Sequence, residues 1–183
     1  DISSAAALGT GTDVEVEVMH GNHSLLPNEK LARQMHVNLT RVGGVRYNAE
    51  EQAFAEEISG SLGVGNFIGT EKEILRFEVR QGMGSTDVGD VSWVVPTVGL
   101  RTSTWVPGTA PHSWQAIAAG GTSIGTKGMR VAAKALSLTA RDLLLDPALI
   151  EAGRREFNRR RGEDFHYEAL LGDREPPLAY RIK

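Results

Sequence analysis

From Asp13 to Val18 apolar and acidic residues alternate strictly, with Val14, Val16 and Val18 opposed to Glu15 and Glu17. This period of two predicts a strand with one buried face and one wet face. The alanine-rich run before Leu8-Gly9 reads as the last turns of a helix closed by glycine, so the sequence is expected to start within an element and to be a fragment. After the turn-rich GNHSLLP, Leu31, Met35 and Leu39 recur at i, i+4 and i+8 and predict a helix capped by Asn28. A second helix follows the Gly43-Gly44 break, where Asn48 and Glu51 form a variant of the capping box and Phe54, Ile58 and Leu62 an apolar stripe.

The second half is richer in glycine and β-branched residues. A glycine-rich loop spans 60–69, EILRFEV predicts a strand, and a second glycine-rich stretch, QGMGSTDVGDVS, follows it. The run VSWVVPTVGL, interrupted by Pro96, predicts one or two short buried strands rather than a helix. Met129, Ala132, Ala133, Leu136, Ala140 and Leu143 keep helical spacing up to Asp146-Pro147, where a last helix starts with Pro147 in its first turn and stops by Gly162. Residues 163–183 show little periodicity and read as a tail laid along the surface. Strands alternating with helices predict an α/β sandwich. A boundary near Leu26 sets residues 1–26 apart from 27–162 and from the tail at 163–183.

Composition narrows the partners. At 183 residues and 40% hydrophobic, the chain can bury one ordinary core. Twenty basic against 23 acidic residues give a net charge of −3, which supplies no global attraction for nucleic acid or an anionic membrane, so neither partner is expected. The N-terminal sequence has neither the basic region of a signal peptide nor the apolar length of a membrane span. With no cysteine, any metal would need histidine and carboxylate ligands, and a reducing cytoplasm fits.

Five histidines are the first candidates for chemistry: His20, His23, His36, His112 and His166. His20 and His23 have HxxH spacing at a predicted strand end but no third ligand at helical spacing. His36 falls on the polar side of its helix, where a solvated histidine is the plain reading, and His166 sits in the tail. His112 lies in a Pro/Gly loop after the most strand-like run, a place where α/β folds build sites, although a loop histidine bonded to backbone would look the same. In GSTDVGDVS, Ser85, Thr86 or Asp87 can cap a helix, or the loop's free amides can grip an anion. The GK[ST] ending of a phosphate loop is absent, so no nucleotide site is expected. Asp87 and Asp90 read as helix-start carboxylates, and the basic run from Arg154 to Arg161 as a solvated or interface face.

Two loops in order, GSTDVGDVSWVVPTVGL and then PGTAPHSWQAIAAGG, resemble the C-terminal pattern of the zinc-dependent aminoacylase and carboxypeptidase superfamily. The strings DVGDVSWVVPT and GTSIGTKGM, with the tryptophan after His112-Ser113, most resemble its aminobenzoyl-glutamate utilization B type. The resemblance implies a zinc-peptidase-like α/β sandwich holding two divalent ions, zinc or manganese, preceded here by the last strand of an inserted lid that dimerises. It implies cytoplasmic hydrolysis of p-aminobenzoyl-glutamate, or a related N-acyl amino acid, by a metal-activated water, with an A subunit or a second copy as partner. On that pattern His112 is a metal ligand, Ser85 and Thr86 contact substrate, and Asp87 holds the loop. The general base and the other ligands would lie upstream, so this chain alone is expected to be inactive, with or without a bound ion. Arg101 is available for a substrate carboxylate but no spacing selects it. The alternative is a free-standing, non-catalytic α/β module that binds another protein.

Overall fold

In the computed structural model the described residues, 1–80, 82, 84–173, 175–176 and 178–179, form helices and irregular segments with no strand among them. The helices are α1 (Ile2–Thr10), α2 (Glu29–Val42), α3 (Ala49–Gly60), α4 (Val88–Val94), α5 (Trp114–Gly120), α6 (Ser123–Leu145) and α7 (Pro147–Arg161), with one 3-10 turn at Thr70–Lys72. The expected α/β sandwich is therefore corrected to an all-helical arrangement. Alternation is a local pattern, whereas a strand needs a neighbour to complete its ladder. Residues 13–18 form no strand, and Val14, Val16 and Val18 stay exposed. The same correction covers the expected lid strand and the strand at 73–79, both of which are irregular.

The start of the run expected as a buried strand instead belongs to α4, whose sequence is VGDVSWV, and the rest of that run, 95–100, is irregular. The α4 face made by Gly89 and Ser92, three residues apart, is buried against residues 23–26, and that packing overrides the β preference of valine. The Ser92 hydroxyl accepts from Leu26 N at 2.8 Å and donates to Gly89 O at 2.5 Å. A Cβ on Gly89 would meet His23 O at 1.9 Å, so only glycine admits the contact.

Helix starts follow the sequence closely. Asn28 accepts from Leu31 N at α2, and Asn48 with Glu51 completes a reciprocal capping box at α3. Ser113, Thr122 and Asp146 cap α5, α6 and α7 in the same way, each cap contributing about 1 kcal/mol. The N-terminal helix closes on Gly11 in the left-handed region, two residues beyond the glycine expected, and buries no residue.

α6 lies along α2, and α7 closes against both. Leu31, Met35, Ala135 and Phe157 are buried there, with Asn38 and Thr139 hydrogen-bonded at 3.1 Å. A second core joins Ala55, Ile58, Val106, Ala119 and Ile124. α6 is rotated from expectation: its buried positions are Ile124, Gly125, Gly128, Ala135 and Thr139, while Met129, Ala133, Leu136 and Ala140 face outward. Gly128 sets this rotation, because its Cα seats on the backbone of Ser103 where a Cβ would lie 2.2 Å from the carbonyl oxygen.

Candidate functional site

Two side-chain hydrogen bonds hold the GSTD loop. Asn22 donates to Ser85 Oγ at 3.1 Å, and Thr86 Oγ1 accepts from Val88 N at 3.3 Å, which satisfies one of the first amides of α4. Asp87 occupies the N-cap position but makes no side-chain cap bond. Ser85, Thr86 and Asp87 are all exposed.

Beneath this loop an aromatic cluster ties the 21–26 segment, α4 and the C-terminal tail together. The His23 ring lies 6.0 Å from Trp93, 5.9 Å from Phe165 and 5.6 Å from Tyr167, and Trp93 is 4.4 Å from Phe165. Trp93 Nε1 donates to Ser24 O at 2.7 Å, His23 Nε2 donates to Glu168 O at 3.1 Å, and Gly21 N donates to Leu170 O at 2.8 Å. Tyr167 donates its hydroxyl proton to Asp90 at 3.2 Å; partial burial, then this bond, raises the phenol above its ordinary value. Sequence reading missed this arrangement, since three elements far apart in the chain supply it. The only signal was the aromatic pair Phe165 and Tyr167 within a stretch otherwise poor in pattern.

His112 stands elsewhere. It is exposed, with φ at 60°, the only non-glycine residue with positive φ among the described residues. A residue other than glycine in that region carries backbone strain, of a kind that recurs at ligand-holding positions. Ser113 fixes the turn around it, donating to Ala110 O at 2.7 Å and accepting from Ala116 N at 3.2 Å. No hydrogen bond among the described residues joins His112 to Ser85 or Thr86. His36 differs from the solvated reading: its Nε2 donates to Leu75 O at 2.9 Å and its ring meets Phe77 edge-on. Arg101 lines a groove of about 490 Å³ beside His36 and Phe77, opening between α2 and residues 70–78.

Among the described residues no three histidine, aspartate or glutamate side chains converge to hold a metal ion. These residues alone do not fit a two-metal centre, which takes about three protein ligands per ion. No catalytic step is assigned to them through a metal.

The class of molecule follows from comparison with known proteins. No family model matches this chain, and no solved structure matches it. Two named relatives do, and both are hydrolases of amide-linked amino acids by their names. The first is the B subunit of p-aminobenzoyl-glutamate hydrolase from Escherichia coli (strain K12), 34% identical over 181 aligned residues that cover 85% of this chain and 38% of the relative. The second is the Xaa-Arg dipeptidase of Mus musculus, 29% identical over 159 residues that cover 86% of this chain and 30% of that protein. The likeness bears out the resemblance carried by DVGDVSWVVPT and its companion loop. The chain spans less than two fifths of the length of either curated relative. No helix among the described residues is long and apolar enough to cross a membrane.

Proposed function

We propose that this chain is the C-terminal part of a metal-dependent amidohydrolase that splits p-aminobenzoyl-glutamate, or a related N-acyl amino acid, into its acid and amino acid. The likeness to the bacterial hydrolase over 85% of the chain carries this reading. In it, His112 is one donor to a divalent ion, zinc or manganese, whose remaining ligands and general base lie upstream. The strained, exposed placement of His112 on a turn locked by Ser113 supports that role. Bound ions of this kind lower the pKa of water and polarise a carbonyl. Ser85 and Thr86 contact the substrate from the loop that Asn22 and α4 hold, and Asp87 stays structural.

Residues 1–26 belong in this reading to the end of a lid, 27–162 to the C-terminal part of the catalytic domain and 163–183 to a C-terminal tail. The enzyme works in the cytoplasm, with a second subunit or a second copy as partner. One donor cannot hold a catalytic ion, so the isolated chain is inactive. Elemental analysis of the full-length polypeptide and its His112→Ala variant tests the assignment: loss of bound zinc or manganese supports it, and unchanged metal content contradicts it.

A further inference from the structure

The N-terminal end of α2 and the outer face of α7 enclose a groove of about 500 Å³ with five cations, Lys30, Arg33, Arg155, Arg159 and Arg160, against two carboxylates, Glu29 and Glu156. The groove has a neutralised floor and a positive rim. On the floor, Arg160 donates to Glu156 at 2.7 Å and to Glu29 at 2.6 Å, and Glu156 also accepts the α2 amides of Glu29 and Lys30 at 3.1 and 2.8 Å. On the rim, the ion pairs of Arg33 and Arg155 are long and exposed, at 3.6 and 3.4 Å from Glu29 and Glu151. Lys30 and Arg159 make no ion pair among the described residues. This basic concavity belongs to a chain of net charge −3.

The spacing of the rim selects the ligand. Arg155 and Arg159 are one helical step of four residues apart, and Lys30 and Arg33 one of three, so their Cβ atoms stand about 5–6 Å apart along each wall and each wall carries two separate cations. Separate cations on two walls suit single carboxylates on alternate residues of an extended peptide, about 6.5–7 Å apart, better than the closely set oxygens of one phosphate. The floor carboxylates also repel a compact dianion more than spaced single charges.

We propose that this groove docks an acidic segment of a partner protein, with carboxylates of that segment paired to Lys30, Arg33, Arg155 and Arg159. That the partner is a hydrolase subunit rests on the assembly proposed above; the groove's chemistry does not.

The test is fluorescence anisotropy of a labelled 12-residue peptide of alternating glutamate and alanine, titrated with the chain. Docking predicts saturable binding that weakens at least about tenfold between low and roughly 0.3 M salt, because exposed charges are screened. Arg155→Glu with Arg159→Glu weakens it about tenfold or more while the protein keeps a cooperative melt lowered by no more than a few degrees, as expected for exposed residues that lose one ion pair. Arg130→Glu with Lys134→Glu, equally exposed on α6, leaves it intact. Absence of saturable binding, an equal loss in the α6 control, or equally tight binding of pyrophosphate or an RNA oligomer at the same groove each overturns the proposal. Amide hydrolysis by the full-length polypeptide is unaffected by the Arg155/Arg159 pair of changes, so failure of the groove and failure of the hydrolase reading are told apart.

Discussion

Glu156 reaches from α7 to the start of α2 and does there what an N-cap side chain does from within a helix. Its carboxylate accepts Glu29 N at 3.1 Å and Lys30 N at 2.8 Å, two of the four amides that a helix start leaves without partners, and holds Arg160 at 2.7 Å. Burial pushes the Glu156 carboxyl up, but the Lys30 amide, Arg160 and the Glu29 amide together outweigh it, and its pKa lies below the ordinary 4.5. Glu156→Gln keeps the shape and one acceptor while removing the charge and placing an amide N–H against a backbone donor. A hydrogen bond to a charged group contributes about 1.5–3 kcal/mol, and losing one while weakening another gives an expected destabilisation of about 2–3 kcal/mol near neutral pH.

The pH dependence fixes the sign. A group whose folded pKa is depressed contributes its full stability above the unfolded value and loses it as pH falls through the folded value. The difference between native chain and variant is therefore constant above about pH 5 and shrinks below the ordinary 4.5. Urea unfolding followed by circular dichroism at pH 7 and at roughly pH 3.5 reads both quantities. A difference below about 0.5 kcal/mol at pH 7, or one that does not diminish on acidification, refutes the interhelical cap.

Two other perturbations probe separate joints. Gly128→Ala gains helix propensity of about 1 kcal/mol but drives a Cβ to 2.2 Å from Ser103 O and 2.7 Å from Thr104 Cγ2, so a net loss of about 1–3 kcal/mol is expected in thermal melting; a gain in stability contradicts the packing. His112→Gly relieves the positive φ and is expected to leave stability unchanged or raise it by up to about 1 kcal/mol while abolishing activity in the full-length polypeptide. A clear loss of stability in chemical denaturation shows instead that the histidine is there for structure.

Helices were legible from the sequence where a cap and a stripe agreed. Asn28 with Leu31 and Met35, Asn48 with Glu51, and Asp146 with Pro147 each specify a start within a few residues, and all three appear as read. What failed was everything that depends on a distant neighbour. The valines at 14, 16 and 18 alternate as a strand does, yet residues 13–18 form no strand. In α4 the β preference of its valines yields to Gly89 and Ser92, which dock on residues 23–26. The stripe of α6 was placed on its bulky residues, whereas Gly128 and Thr139 make the close approach. For the candidate site, the loops and His112 were visible as motifs. The tail's Phe165 and Tyr167 stood out only as an aromatic pair without a role, because their partners His23 and Trp93 lie 70 or more residues away in sequence.

The most direct measurement is the release of p-aminobenzoate from p-aminobenzoyl-glutamate, with added zinc or manganese, by this chain alone, by the full-length polypeptide and by its His112→Ala variant. Activity confined to the full-length polypeptide and lost in the variant is the predicted result. Hydrolysis by this chain alone, or full activity without His112, would contradict the account.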